Sequence, residues 1–170
     1  MATHVTADSP LNIDQGDPDW RVFEKQVANL HAKLDAGSSE VHFDARLTGL
    51  SSGTPRQIDV LIQGELRKIP IKIAIECKRY GRKIDVGEMD QFIGKLQDLK
   101  VDKGVFIVHN GVTDAARQRA ENATHPSVVL LEGFDPEVEL EEILPDCPSP
   151  NCYWGSVRWT STQQPAGGED

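Results

Sequence analysis

Apolar positions along the chain change their period several times, and each change marks an element. Trp20, Phe23, Val27, Leu30 and Leu34 fall at helical spacing. Asp17 stands before them as a cap, with Pro18 at the first helical position. Ala36-Gly37-Ser38-Ser39 closes that helix, and Val41 to Leu47 alternates as a strand. The turn-rich stretch from Thr48 to Pro55 leads into a second alternating segment, Gln57 to Gln63. There Ile58, Val60 and Ile62 share one face and Asp59 takes the other. A turn over Gly64-Glu65-Leu66-Arg67 folds back a third strand, Ile71 to Lys78. Its Ile71, Ile73, Ile75 and Cys77 line one face, and Lys72, Ala74, Glu76 and Lys78 the other. Asp85-Val86-Gly87-Glu88 has the form of a capping box. The helix it opens runs to about Lys100, apolar at Val86, Met89, Ile93, Leu96 and Leu99. Gly104 to Val108 is a short apolar run suited to a strand covered on both faces. Thr113 or Asp114 caps an alanine-rich helix, and Val128 to Leu131 forms a last strand. The order helix, three antiparallel strands, helix, strand, helix, strand predicts an α/β fold, a mixed β-sheet flanked by helices. Its last strands run parallel through right-handed crossovers.

The ends differ from this core. Residues 1–16 are polar, lack periodicity and read as a flexible N-terminal arm; residues 17–133 carry the domain. Residues 134–170 form an acidic C-terminal extension with a disordered tail. Glu132 to Asp146 holds seven acidic residues and no basic one, and Val138, Leu140, Ile143 and Leu144 suit one short amphipathic helix. Cys147 and Cys152 resemble half of a zinc site, but tetrahedral zinc needs four ligands and no second pair lies nearby.

A length of 170 residues, 38% hydrophobic and 26% charged, suits one soluble domain with a core. No run approaches the roughly 18 apolar residues that span a membrane. Three cysteines and no leader-like start point to a reducing, cytoplasmic setting. The net charge of −9 argues against nucleic-acid binding until it is divided along the chain. Residues 56–119 carry 13 Lys plus Arg against 9 Asp plus Glu, and the remainder is acidic. Phosphate contacts respond to local charge, so a mildly basic centre with acidic flanks is compatible with a DNA substrate.

The chemistry concentrates where apolar strands give way to charge. The hairpin carries Asp59 and Glu76 toward the same end and face, with Lys78 beside them; a one-residue slip would swap faces, so the register stays open. Two carboxylates and a lysine suit a hard divalent cation, since Mg²⁺ needs only one or two carboxylates besides water and substrate phosphate. The alternative is a salt-bridged strand end.

Asp59 followed by Glu76-Cys77-Lys78 resembles the motif of the PD-(D/E)XK nuclease superfamily. Phe23-Glu24-Lys25, Glu76-Cys77-Lys78-Arg79-Tyr80, and Lys103-Gly104-Val105-Phe106-Ile107-Val108 before an alanine-rich helix narrow the resemblance to its Mrr-like restriction endonuclease branch. The resemblance spans Trp20 to Gly133, and Ile58 and His109-Asn110 depart from the branch's pattern. It implies a restriction-endonuclease-like fold and an endodeoxyribonuclease of restriction or defence type. It further implies Mg²⁺, replaceable by Mn²⁺, held by Asp59, Glu76 and the Cys77 carbonyl, with Glu24 as an auxiliary ligand. Lys78 would assist attack of water on phosphorus, and Gln91 would line the site. The expected partners are double-stranded DNA and either a second copy in a homodimer or a separate specificity subunit. A junction-selective nuclease and a non-catalytic DNA- or protein-binding module are the alternatives on the same fold.

Overall fold

The computed structural model describes residues 2–35, 39–136 and 138. Apart from Val138, the predicted acidic helix, the Cys147/Cys152 pair and the tail lie outside the described residues.

The elements run β1 (Thr3–Val5), α1 (Asp19–Asp35), β2 (Ser39–Thr48), β3 (Pro55–Leu66), β4 (Ile69–Lys78), α2 (Val86–Leu99), β5 (Lys103–Val108), α3 (Asp114–Glu121) and β6 (Ser127–Glu132). One six-stranded sheet holds the strands in sequence order. Neighbours from β1 to β4 pair antiparallel, and β4, β5 and β6 run parallel. This is the predicted mixed α/β sheet with one strand added. The segment expected as a flexible arm contributes β1, which pairs Thr3 with Phe43 and Val5 with Val41 and buries Val5. Three residues are too few to show a period, so pairing to β2 rather than local pattern makes this strand.

Two cores sandwich the sheet. Phe23, Val27 and Ala28 of α1 pack on one face against Val41, Phe43, Val60, Ile75, Cys77 and Ile107. On the other face, Met89, Phe92, Ile93, Leu96 and Leu99 of α2 and Ala116 and Ala120 of α3 meet Ile58, Leu61, Ala74, Phe106 and Val108. Burying each large side chain contributes about 1.5–3 kcal/mol. Gly104 lets β5 approach α2, because a Cβ there would strike Leu96 and Phe92. The stripes on α1 and α2 differ from expectation at their first turns: Trp20 and Val86 are exposed, and Phe92 joins the α2 core.

Helix starts follow local chemistry only in part. Asp85 caps α2 in a complete capping box, with Glu88 N–H donating to Asp85 Oδ1 and Asp85 N–H to Glu88 Oε2, both at 3.1 Å. Thr113 caps α3. Asp17 does not cap α1: its Oδ2 accepts from Lys25 Nζ at 2.6 Å and from the Asp14 amide, and the Pro18 carbonyl accepts the first helical bond, from Val22.

Three departures in the hairpins matter for the site. The β3–β4 turn falls at Arg67 and Lys68, both in the left-handed region (φ 51° and 69°), while Gly64 pairs within the ladder with Ile71. Paired positive φ values give the twist of a two-residue hairpin. Second, Ile58 does not share a face with Val60 and Ile62; it lies in the α2/α3 core and they lie in the α1 core. The cause sits across the ladder. Asp44, between the pairs Phe43↔Val60 and Ala45↔Ile58, has φ 52°, and β2 changes face there as well, from Phe43 to Ala45. Third, the β3–β4 ladder begins at Val60↔Ile75. At Asp59 the two strands have parted, while β4 stays paired to β5 through Lys78↔Val108.

Candidate active site

The parting of β3 from β4 leaves backbone groups of β4 facing a gap, and Asp59 enters it. Its Oδ2 accepts the Cys77 amide at 2.8 Å, a side chain standing where a ladder bond would be. The N–H and C=O of one strand residue point to the same side, so the Cys77 carbonyl also faces this gap, beyond the last β3 pair. Glu76, on the α2 side, is held by two lysines: Lys78 Nζ lies 2.7 Å from Oε1 and Lys95 Nζ 2.5 Å from Oε2. Glu24 comes from α1, on the opposite side of the sheet. Arg21 Nη1 reaches it at 3.2 Å while Nη2 reaches Asp44 at 3.2 Å, and the guanidinium stacks 4.4 Å from the Phe43 ring centroid.

Glu24, Asp59, Glu76 and Asp98 are the buried charged side chains among the described residues, each at most 8% exposed. Burial raises the Glu24 pKa to about 7, with repulsion from Asp59 second. Burial likewise raises Asp59 to about 6, reinforced by Glu76 and opposed by the Cys77 amide and the lysines. For Glu76, burial is outweighed by Lys95 and Lys78, so its pKa is lowered. Lys78 moves the other way: burial disfavours its charge, but Glu76 and Asp59 prevail and its pKa is raised. Burial pushes the Cys77 thiol well up, with the nearby carboxylates adding to it. That thiol, packed in the α1 core, is no nucleophile.

The structure thus brings together Asp59, Glu76, the Cys77 backbone and Lys78, with Glu24 close enough to be felt by Asp59. Glu24, expected as an auxiliary ligand, is buried. Gln91 is exposed on α2, one turn before Lys95, and its side chain makes no hydrogen bond to Asp59, Glu76 or Lys78. Arg82, in the loop between β4 and α2, pairs with Glu88 at 2.8 and 3.1 Å, which offsets its charge. Lys95 escaped the sequence argument. It lies seventeen residues after Lys78 in the chain, and only the crossover that lays α2 on the sheet brings it to Glu76. Its one sequence signal is the i, i+4 spacing from Gln91.

Among the described residues, no group of three or more His, Cys, Asp or Glu side chains could cage a metal unaided. Mg²⁺ asks for less, since it keeps several waters and takes one or two carboxylates. Asp59 has one oxygen outside any hydrogen bond among the described residues, and the Cys77 carbonyl faces the same gap. These hard oxygen donors fit Mg²⁺ or Mn²⁺.

A family model described as restriction endonuclease, the Mrr catalytic domain, matches residues 17–135. The chain belongs to this restriction endonuclease family. No curated protein matches it. Among solved structures, the protein of unknown function AF1548 aligns with TM-score 0.52 and 17% identity over 69% of this chain, and the fold of the Mrr-type domain is common to both. The modification-dependent restriction endonuclease AspBHI (TM-score 0.37, 24% identity, 62% of this chain) and MspJI in complex with a 27-mer oligonucleotide (0.45, 17%, 74%) also match. The Mrr-type chain spans 63%, 23% and 32% of those three proteins. No helix among its described residues is long and apolar enough to cross a membrane.

Proposed function

We propose that this Mrr-type domain is a Mg²⁺-dependent DNA endonuclease of restriction type, with Mn²⁺ able to substitute. It would hydrolyse phosphodiester bonds in double-stranded DNA to 3′ hydroxyl and 5′ phosphate ends. The observation that carries this is the parted strand pair. Asp59, the Cys77 backbone, Glu76 and Lys78 meet at the one point where β3 leaves β4, and the two carboxylates differ in their charge environments.

Asp59, Glu76 and the Cys77 carbonyl would hold the ion, with Glu24 as an auxiliary ligand. When bound, the ion neutralises phosphoryl charge and acidifies water. Lys78 keeps its proton across the physiological range, because the carboxylates hold its pKa up. It therefore acts as a fixed positive charge that orients the attacking water and offsets charge on the phosphate, not as a base. Arg21 holds Glu24 in place from α1. Gln91 lies at the exposed end of the same α2 face as Lys95 and would line the substrate side. Duplex cleavage requires both strands to be cut, which favours a homodimer or a second, specificity-bearing subunit.

Supercoiled plasmid, unmodified and methylated, incubated with Mg²⁺ or Mn²⁺ tests the assignment, with branched DNA as a further substrate. Metal-dependent nicking or linearisation by wild type, lost in Lys78→Ala, is the expected result. Clean wild-type protein that cuts none of these DNAs would overturn it in favour of a binding module.

A further inference from the structure

Glu76 carries two ammonium groups where the proposed chemistry uses one. Each of its oxygens is taken, Oε1 by Lys78 and Oε2 by Lys95. Four carboxylates (Glu24, Asp44, Asp59, Glu76) face three cations (Arg21, Lys78, Lys95), and two of those cations fall on Glu76. A divalent cation held by Glu76 would have to share its oxygens with both ammoniums, and like charges repel strongly in a buried setting. One lysine must give way.

The two lysines are not equally free to do so. Lys78 ends strand β4, its Nζ lies 6.0 Å from the Tyr80 ring centroid, and it feels Asp59 as well as Glu76. Lys95 stands on the opposite layer, on α2, and the Nζ bond to Glu76 is its only ion pair among the described residues. Both side chains are 22% exposed and each has Glu76 as its one ion pair among the described residues, so a path to water is open to either stem. What separates them is the Tyr80 ring beside Lys78, a contact Lys95 lacks.

We propose that Lys95 is an exchangeable counter-ion of Glu76. It neutralises the carboxylate in the metal-free protein and yields that position when a divalent cation binds. This rests on the metal-dependent nuclease assignment above and adds a positioning residue that acts through Glu76. It explains how a buried carboxylate kept for a cation is held when the cation is absent: an unpaired buried charge is strongly destabilising, and Lys95 prevents that without blocking metal entry.

The test is Mn²⁺ binding to the full chain without DNA, by calorimetry, for wild type, Lys95→Met and Lys95→Arg. Removing the competing ammonium is expected to tighten Mn²⁺ binding about three- to tenfold, and Lys95→Arg, which keeps the charge, to stay near wild type. Lys95→Gln is a second neutral variant in case methionine disturbs packing. A merely structural lysine would not tighten metal binding when removed. Unchanged or weaker binding in both neutral variants overturns the exchange. Plasmid cleavage by wild type in the same buffer separates the two proposals. Cleavage without the affinity shift sinks the exchange alone, and the affinity shift without cleavage on any DNA sinks the nuclease alone.

Discussion

Asp98 and Asp59 are both buried aspartates within one small sheet protein, and their surroundings are opposites. Asp98, on α2, receives the Ser51 and Ser52 amides at 3.0 and 2.9 Å, the Ser52 hydroxyl at 2.6 Å and Arg56 Nε at 2.7 Å. It pins the β2–β3 loop to the helix, and Gly49 passes so close that a Cβ would strike its carboxylate. The Ser52 hydroxyl and Arg56 hold its pKa well below the usual carboxylate range. Asp59 has one hydrogen bond, and burial with Glu76 nearby pushes it up to about 6. A carboxylate that serves structure is surrounded by donors. Asp59 is left short of them, with one oxygen outside any hydrogen bond among the described residues. Such underpaired, perturbed groups are where function concentrates.

The largest test of this contrast is activity. Asp59→Asn and Lys78→Ala should each lower the plasmid cleavage rate by about 10²-fold or more, while Asp59→Asn should not lower the Tm measured in EDTA at pH 8. A strongly destabilised Asp59→Asn would place Asp59 with Asp98 as a structural residue. Next comes Asp98→Ala, which leaves Arg56 and two loop amides without their partner. It should lower Tm by about 5 °C or more and retain Mn²⁺ binding; loss of metal binding would tie the loop to the site.

A smaller effect of opposite sign is expected at Glu24. Its folded pKa, about 7, lies above the ordinary 4.5, so its charging opposes folding. The associated stability is complete below about pH 4.5 and is lost as pH rises through 7. In EDTA, Glu24→Gln should therefore be more stable than wild type at pH 8, by about 1–3 kcal/mol, with the gain gone near pH 4.5. Denaturant unfolding at the two pH values measures it, and an equal gain at both would remove charge as the cause. The subtlest test is Asp98→Asn, which keeps part of the hydrogen bonding. Because the folded pKa of Asp98 is depressed, its stability is present above about pH 3.9 and lost as pH falls toward the folded value. The Tm difference between wild type and Asp98→Asn should hold at pH 5 to 8 and narrow below pH 4. A gap that widens in acid would reverse the assignment.

Much of the frame was legible because it is local. Ile73, Ile75 and Cys77 do alternate onto one core, the Asp85–Glu88 box does open α2, and Gly104 to Val108 is buried on both faces. What failed depends on partners distant in sequence. The common face of Ile58, Val60 and Ile62 was broken by Asp44, fourteen residues away from Ile58, whose positive φ nothing in β3 announces. Glu24 beside an apolar stripe gave no sign whether it would be buried. Nothing near Asp98 in the chain marks it as buried, because its partners Ser51, Ser52 and Arg56 lie more than forty positions earlier.

By itself, then, the sequence determined the periods of its elements, their order, and the candidate set Asp59, Glu76 and Lys78, since alternation and capping are written in neighbouring residues. Only the tertiary structure decided that β3 and β4 part at Asp59, that Asp59 takes the Cys77 amide, and that Lys95 closes the second oxygen of Glu76. Register, burial and the resulting pKa shifts arise from contacts across strands and layers, and those depend on how the whole sheet twists and which helix covers which face.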